Sequence, residues 1–197
     1  MEREKLVAAL ADPLPFLADD QPAIRRLAIS VCSTDPARYE AELGEIAISD
    51  PEPSVRALAV EALTSIGSVD TVRDDSDDRV REAAATAYGE IGSDAAVDWL
   101  IESALGDEDR LVQEAAVAAL GAIGDDRALP VLLELVTDGP PRVRRRAVVA
   151  LTVFDDPAIE PAIRKATTDR NPGVREAAEM VVGRESRVAS RETRDTN

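Results

Sequence analysis

The most informative absence in this 197-residue sequence is histidine, of which there is none. Without an imidazole, the chain excludes His-based catalytic triads, His–metal sites and imidazole acid–base catalysis. A single cysteine, Cys32, excludes an internal disulfide framework, and no glycine-rich phosphate loop is present. We therefore expect a protein that is not an enzyme and that has no metal or cofactor.

Aromatic residues and long apolar runs are also scarce. Only 3% of the residues are aromatic, so Ala, Val and Leu carry the apolar content. Small side chains of this kind suit closely packed helices and lack the alternation of sheets. No run of about 18 apolar residues could span a membrane. The charged start, MEREKLVAAL, lacks a signal-peptide apolar region, so we expect a cytoplasmic protein with no membrane partner.

Lysine is the third scarce residue. Lys5 and Lys165 are the only two, against 39 acidic residues and a net charge of -16. An acidic, lysine-poor surface resembles the proteins of extreme halophiles, because molar salt screens charge repulsion within a few ångströms. Phosphate contacts weaken steeply with salt, so this composition also argues against a nucleic-acid partner.

What the sequence does contain is a repeat. A β-branched residue followed by Arg recurs with a spacing of roughly 31 residues, and the first residue of this pair is taken as position 0. The copies begin at Ile24, Val55, Val80, Val112, Val143 and Val174, with Gln replacing Arg in the fourth. An Asp lies five residues before each, an Ala four after, and a larger residue eight after. Positions 0, 4 and 8 form one stripe of a helix, so each copy predicts an apolar inner helix.

A second amphipathic segment, such as RALPVLLELV (127–136), fills the rest of each copy, and Gly67, Gly92 and Gly124 follow three of the inner helices. Each repeat is therefore predicted to be an outer helix, a turn with Asp, an inner helix and a glycine turn. One such pair cannot bury its own stripe, so the pairs must stack.

The pattern Asp-x4-Val-Arg-x2-Ala-Ala-x2-Ala-Leu-Gly-x-Ile-Gly resembles the phycobilisome-lyase type of HEAT repeat, most clearly over 106–136. The resemblance implies an all-α fold, a right-handed α-α superhelix (a HEAT-like solenoid) of about six helix pairs over residues 1–183. It also implies a polar ladder, in which each turn Asp and inner-helix Arg bind between neighbouring repeats. The ladder would contain Asp19, Asp50, Asp75, Asp107, Asp138, Asp169, Arg25, Arg56, Arg81, Arg144 and Arg175.

Two segments depart from the repeat. The outer helix of the third repeat, 68–74, is about six residues short, which indicates either a hinge or docking notch or a tolerated deletion. The polar segment 184–197 is predicted to be a flexible C-terminal tail.

Two surfaces are candidates for partner binding. The inner-helix positions 2, 6 and 9 should line the concave face on which HEAT-type proteins hold partners, or else be buried against adjacent inner helices. In this set we single out Glu82, Glu114, Ala118, Gly121, Arg145 and Val149, and we expect Gly121 to tolerate substitution as part of a groove floor. The second candidate is the basic cluster around Arg142 and Arg146, which either binds an anionic partner or pairs with nearby carboxylates.

The favoured function is a protein-binding scaffold or adaptor with an unidentified protein partner. The alternative, from the repeat family alone, is a bilin-lyase-like or other small-molecule-binding subunit. Nucleic-acid binding is the third hypothesis, and both the acidic surface and the single Trp argue against it. The sequence does not indicate the oligomeric state.

The halophile interpretation predicts a marked dependence of stability on salt. The melting temperature should rise from low salt to molar KCl, because screening removes repulsion among the 39 acidic residues. Thermal denaturation followed by circular dichroism measures this rise. A flat or falling curve would contradict it.

Overall fold

The computed structural model describes residues 2–69 and 72–195, and all of its regular structure is helical. It divides into an N-terminal half, Met1–Ile91, and a C-terminal half, Gly92–Asn197. The helices of the N-terminal half are α1 (Glu2–Ala11), α2 (Pro22–Cys32), α3 (Glu40–Ser49), α4 (Pro53–Thr64) and α5 (Asp78–Ile91). Those of the C-terminal half are α6 (Val97–Gly106), α7 (Arg110–Ile123), α8 (Leu129–Asp138), α9 (Pro141–Ala150), α10 (Ile159–Ala166) and α11 (Pro172–Asp195).

Each half is a stack of helix pairs. In the N-terminal half, outer helices α1 and α3 pack on inner helices α2 and α4, and α2, α4 and α5 follow one another in an inner layer. In the C-terminal half, α6, α8 and α10 pack on α7, α9 and α11, which also form an inner layer. The residue at position 5 of the inner helices is apolar and fully buried at Ile29, Val60 and Ala85 in the N-terminal half and at Val117 and Val148 in the C-terminal half.

The repeated apolar stripe forms the core of both halves. The β-branched residue at position 0 and the Ala at position 4 are at most 3% exposed in all six copies. The turns that end α4, α5 and α7 contain Gly67, Gly92 and Gly124, whose φ angles of 75°, 73° and 71° lie in the left-handed region that favours glycine.

The outer helix of the third repeat is absent among the described residues 65–69 and 72–77, which form turns and irregular chain. Tyr88 on α5 occupies the position where most repeats carry an aliphatic residue, and it is fully buried. Its hydroxyl donates to the Val69 carbonyl at 3.0 Å, and Arg73 Nε donates to that hydroxyl at 2.8 Å while the guanidinium lies over the ring. A larger, hydrogen-bonding side chain therefore anchors the short segment to α5 where a helix is missing.

The segment 184–197 lies at the C-terminus of α11. The backbone of α11 continues to Asp195, and residues 196–197 lie outside the described residues. The flexible tail stays a prediction from composition.

The expectation that Gly121 forms an open groove floor is wrong. Gly121 on α7 is buried, and a Cβ placed there would lie 2.7 Å from Ala150 Cβ and 2.8 Å from Ala150 Cα on α9. The two inner helices approach so closely at this point that only a hydrogen fits between their backbones. Position 9 of the fourth repeat thus belongs to the helix–helix contact and not to a binding surface.

The close contact predicts that Gly121→Ala destabilises the protein, although Ala is the better helix former. Overpacking at a backbone contact costs about 1–3 kcal/mol, more than the gain in helix propensity. Gly44→Ala is the matched control, because Gly44 lies within α3 and an added Cβ would have no neighbour within 4 Å. Urea unfolding should show opposite signs for the two variants, and equal stabilisation of both would contradict the close approach.

Candidate functional site

The inner ridge is the set of inner-helix positions 2, 6 and 9 defined from the sequence. Position 6 is open in both halves: Ser30, Glu61, Thr86, Val149 and Met180 are exposed, and Ala118 is half-exposed. Position 2 is mixed, since Ala57 is 9% exposed while Glu82 and Glu114 are half-buried and Arg145 is exposed. The ridge is therefore a surface along its middle row and a packing contact at Gly121.

The ridge of the C-terminal half combines apolar and basic side chains. Val149 on α9 and Met180 on α11, both at position 6, are 49% and 56% exposed, and Val153, three residues beyond the end of α9, is 57% exposed. Arg145 on α9 is exposed and has no ion pair among the described residues. Folding of this half therefore leaves these side chains exposed to water.

Two arginines of the basic cluster share one carboxylate. Arg146 Nη2 lies 3.2 Å from Glu114 Oε1, and Arg142 Nη1 lies 3.7 Å from Glu114 Oε2, so two arginines of α9 converge on α7. Arg144, between them in sequence, is 2% exposed and points into the half. Of the four arginines, Arg145 is thus the one that presents an unpaired cation in this part of the described chain.

A groove in the N-terminal half was not predicted from the sequence. It has a volume of about 730 Å³ and lies along the inner ridge of α4 and α5, with one residue from α2. Its lining residues are Arg26, Ser54, Ala57, Leu58, Glu61, Thr64, Arg79, Glu82, Ala83, Thr86, Ala87 and Glu90. Sequence analysis placed six of these residues on the concave face, at positions 2, 6 and 9, and named Glu82 as a candidate binding residue. It did not predict the groove that the residues of three repeats form together: the six are Arg26, Ala57, Glu61, Thr64, Glu82 and Thr86.

Buried Arg–Asp pairs join consecutive repeats within each half. Arg25 Nε and Nη2 donate to both carboxylate oxygens of Asp50 at 2.7 Å, and its Nη1 donates to the Asp19 carbonyl at 2.7 Å. Arg56 makes the same bidentate contact with Asp75, at 2.7 Å to each oxygen. In the C-terminal half, Arg144 does so with Asp169 at 2.8 and 2.7 Å.

The same carboxylates also organise the turn before each inner helix. Asp19, Asp50, Asp75, Asp107 and Asp169 each accept the backbone N–H two residues on, at 2.7–3.0 Å. Arg81, Gln113 and Arg175 reach back to the carbonyl of the preceding turn Asp at 2.8–2.9 Å. At the first turn, Lys5 of α1 forms an ion pair with Asp19.

The pairing shifts the acidities of the ladder groups. The hydrogen bond from Arg144 holds the pKa of Asp169 below its ordinary value. Burial pushes the pKa of Asp75 upward, but hydrogen bonds from Arg56 and the Asp77 amide outweigh it, so that pKa is also lowered. The Asp50 carboxylate raises the pKa of Arg25. These shifts favour the carboxylate forms of Asp169 and Asp75 and the guanidinium form of Arg25.

The assignment of Asp138 to the ladder is wrong. Asp138 is exposed as the last residue of α8, and Arg144 Nη1 instead binds the Gly139 carbonyl at 2.8 Å. The cause is Pro140, because the residue before a proline is restricted to extended backbone. In the second repeat Asp50 itself precedes a proline and is extended, whereas here Gly139 takes that place and α8 runs one residue further.

The cation that would have faced this turn is missing too. Gln113 occupies the Arg position of the preceding repeat, and its Nε2 donates to the Asp107 carbonyl at 2.8 Å. Its Oε1 is buried without a hydrogen-bond partner among the described residues. At this step of the ladder, between the fourth and fifth repeats, both the Arg and the Asp are therefore missing. Their joint absence avoids an unpaired buried charge.

Clusters of metal-binding side chains are not assembled in the part of the chain that the structure describes. No three His, Cys, Asp or Glu residues there could jointly hold a metal ion. Cys32 is fully buried, and burial raises the pKa of its thiol to about 11, so the thiolate is disfavoured. No helix of the described residues is long and apolar enough to cross a membrane.

Stacked helix pairs joined by Asp–Arg rungs define a helical-repeat protein. The family model for HEAT repeats matches residues 69–152 and 134–191, more than half of the chain. The chain therefore belongs to the HEAT-repeat family. No curated protein matches its sequence.

Solved structures with the same fold cover most of the chain. The complex of CpcE and CpcF of phycocyanin lyase from Nostoc sp. PCC7120 is 22% identical, with a TM-score of 0.60 over 73% of this chain and 98% of that one. YibA of E. coli is 19% identical, with a TM-score of 0.66 over 90% and 72% of the two chains. A designed armadillo repeat protein is 16% identical, with a TM-score of 0.61 over 86% and 97%. At these identities the likeness shows the fold, an α-α solenoid of the HEAT and armadillo type, and confirms the resemblance to the phycobilisome-lyase repeat.

The ladder generates a double-mutant prediction. Arg144→Gln should cost about 3–5 kcal/mol, since it leaves Asp169 charged and nearly buried. Adding Asp169→Asn should recover part of this loss, because the neutral pair imitates the uncharged rung at Gln113. Urea unfolding of the single and double variants measures the coupling free energy between Arg144 and Asp169. Molar KCl in these experiments screens the repulsion among the exposed acidic residues.

A surface pair provides the control for this cycle. Arg164 and Glu160 on α10 are both 66% exposed, so Arg164→Gln should cost less than about 1 kcal/mol. Additive losses at Arg144 and Asp169 would show that the two side chains do not act as a pair.

Proposed function

We propose that this HEAT-repeat protein is a non-enzymatic scaffold that binds a protein partner through the inner ridge. The observation that carries the proposal is the open middle row, position 6, which presents Glu61 and Thr86 in one half and Val149 and Met180 in the other. Position 6 lies outside the buried stripe of positions 0 and 4 and beside the buried position 5, so this surface is not needed to hold the repeats together.

The chemistry of the ridge supports a macromolecular partner. In the C-terminal half, exposed Val149 and Met180 offer apolar contact area, and Arg145 offers a guanidinium that can bind a carboxylate. Interfaces of this composition, with Met and Arg near apolar residues, are typical of protein binding. The complex of CpcE with CpcF is a case in which a solenoid of this fold assembles with a protein.

The small-molecule alternative has less support. The groove of the N-terminal half is lined by five charged side chains and two threonines, whereas pockets for drug-sized or pigment-like ligands are predominantly apolar. A bilin-lyase-like role, a cytoplasmic location and a halophilic host stay predictions from the sequence.

The proposal predicts that Val149→Glu combined with Met180→Glu abolishes partner capture and leaves the fold intact. Both side chains are about half exposed, so the melting temperature should stay within a few degrees of the unmodified protein. Capture from a native-host extract, with mass spectrometry of the bound proteins, measures the loss.

Leu105→Glu is the matched control, because Leu105 is 45% exposed on outer helix α6 and undergoes the same chemical change. It should capture the same proteins as the unmodified chain. Equal loss in both variants, or no loss in either, would contradict binding through the inner ridge.

A further inference from the structure

The groove between α4 and α5 has opposite charges at its two ends. Arg26 and Arg79 lie where α4 and α5 begin, near Ser54, whereas Glu61 and Glu90 lie in the last turns of the two helices. Ala57, Ala83 and Ala87 line the middle, and Glu82 adds a carboxylate between Arg79 and this middle part. A groove of this kind recognises a charge of each sign at a fixed separation.

The charged groups at the ends differ in how far they are already paired. Arg79 is paired with Asp77 at 3.0 Å, but Arg26 donates to the Ser54 hydroxyl at 3.0 Å and has no carboxylate partner among the described residues. Glu61 and Glu90 are exposed, and within that part of the chain neither has an ion pair or a side-chain hydrogen bond. Arg26 at one end and two glutamates at the other are thus available to a ligand.

The helix dipoles add to the same polarity. The beginnings of α4 and α5 carry partial positive charge and favour an anion, and their last turns carry partial negative charge and favour a cation. The partial charges of the two helices and the formal charges of Arg26, Glu61 and Glu90 therefore act in one direction along the groove, and Glu82 near the beginning of α5 opposes them. Short contacts inside a groove are also screened by salt less than distant surface charges are.

The length of the groove sets the size of the ligand. Arg79 and Glu90 are 11 residues apart on α5, and at about 1.5 Å per residue this spans roughly 16 Å. An extended peptide rises about 3.3 Å per residue, so about five residues fit between the two ends. The small alanine side chains of the middle leave room for a backbone but offer little to a bulky side chain.

Resting on the proposed scaffold function, we infer that this groove binds an extended partner segment of about five residues with an acidic side chain at one end, small residues in the middle and a basic side chain at the other. The acidic group binds Arg26, and the basic group lies between Glu61 and Glu90. The occupant is a dipolar peptide segment of a protein partner, not a uniformly basic one.

The test compares three peptides of equal length: Ac-Glu-Ala-Gly-Ala-Arg-NH2, Ac-Arg-Ala-Gly-Ala-Arg-NH2 and Ac-Glu-Ala-Gly-Ala-Glu-NH2. Each is titrated into the isotopically labelled full chain, at the lowest KCl concentration that gives full helical circular dichroism. Backbone amide chemical shifts report both the affinity and the site. The dipolar peptide should bind at least about threefold more tightly than the other two, with shifts centred on Ala57, Ala83 and Thr86.

Charge reversal supplies the decisive variant. In Arg26→Glu, the peptide with two arginines should become the tightest ligand, and Glu90→Gln should weaken the dipolar peptide about threefold. All these side chains are exposed, and unchanged melting curves check the fold. Glu134→Gln, an exposed change on outer helix α8, is the control that should alter none of the affinities.

The outcomes separate this inference from the scaffold function. If the doubly basic peptide binds best to the unmodified chain, the groove is only an acidic surface. If Arg26→Glu leaves the order unchanged, or no peptide shifts the groove residues, the assignment is wrong. Loss of partner capture in the Val149 and Met180 variant, measured separately, would still support the inner ridge as a protein-binding surface.

Discussion

The bidentate contact between an inner-helix Arg and the next turn's Asp is the interaction on which the arrangement within each half depends. One carboxylate accepts a backbone N–H of its own turn and two N–H groups of the preceding repeat's guanidinium, as at Asp50 and Asp169. It thereby fixes the start of one helix and the spacing to the previous one with the same atoms. Apolar stripes made of Ala, Val and Leu are not directional, so the ladder supplies the register that their packing lacks.

The parts of the fold that repeat could be predicted from the sequence, because the same residue type recurs at the same position in six copies. The helical class, the buried stripe and the glycine turns follow from periodicity in this way. The errors fall where a single copy differs. Asp138 keeps its place in the sequence pattern, but Pro140 moves the extended residue to Gly139 and takes the carboxylate out of the ladder. Gly121 resembles a surface position by spacing, yet the approach of α9 depends on the small size of Ala150 in another repeat.

The groove of the N-terminal half illustrates a different limit. Its charges are ordinary one at a time, since solvated Glu and Arg residues are common on any acidic protein. What distinguishes them is that Arg26, Glu61 and Glu90 belong to three successive inner helices and line one groove. In the repeat, these residues occupy positions 2, 6 and 10 of different copies. A comparison of the copies relates equivalent positions, so it does not reveal which residues of different copies are neighbours in space. The shortened third repeat adds to this effect, because Tyr88 and the 65–77 segment replace a helix without leaving a periodic signal.

The two classes of charge in this protein differ in how strongly they respond to salt, and this difference makes them separable. Exposed carboxylates repel one another over distances that molar salt screens, so their effect on stability fades as salt rises. The ladder pairs lie at 2.7–2.8 Å and are nearly buried, with Arg144 only 2% exposed, so ions cannot enter between the partners. A chain with a net charge of -16 can therefore keep a charge-based architecture in strong salt, provided that its structural charges are the buried ones. Where Gln113 and Gly139 occupy the places of the ladder Arg and Asp, both charges are missing together. A single buried charge there would have no partner, and salt could not screen it.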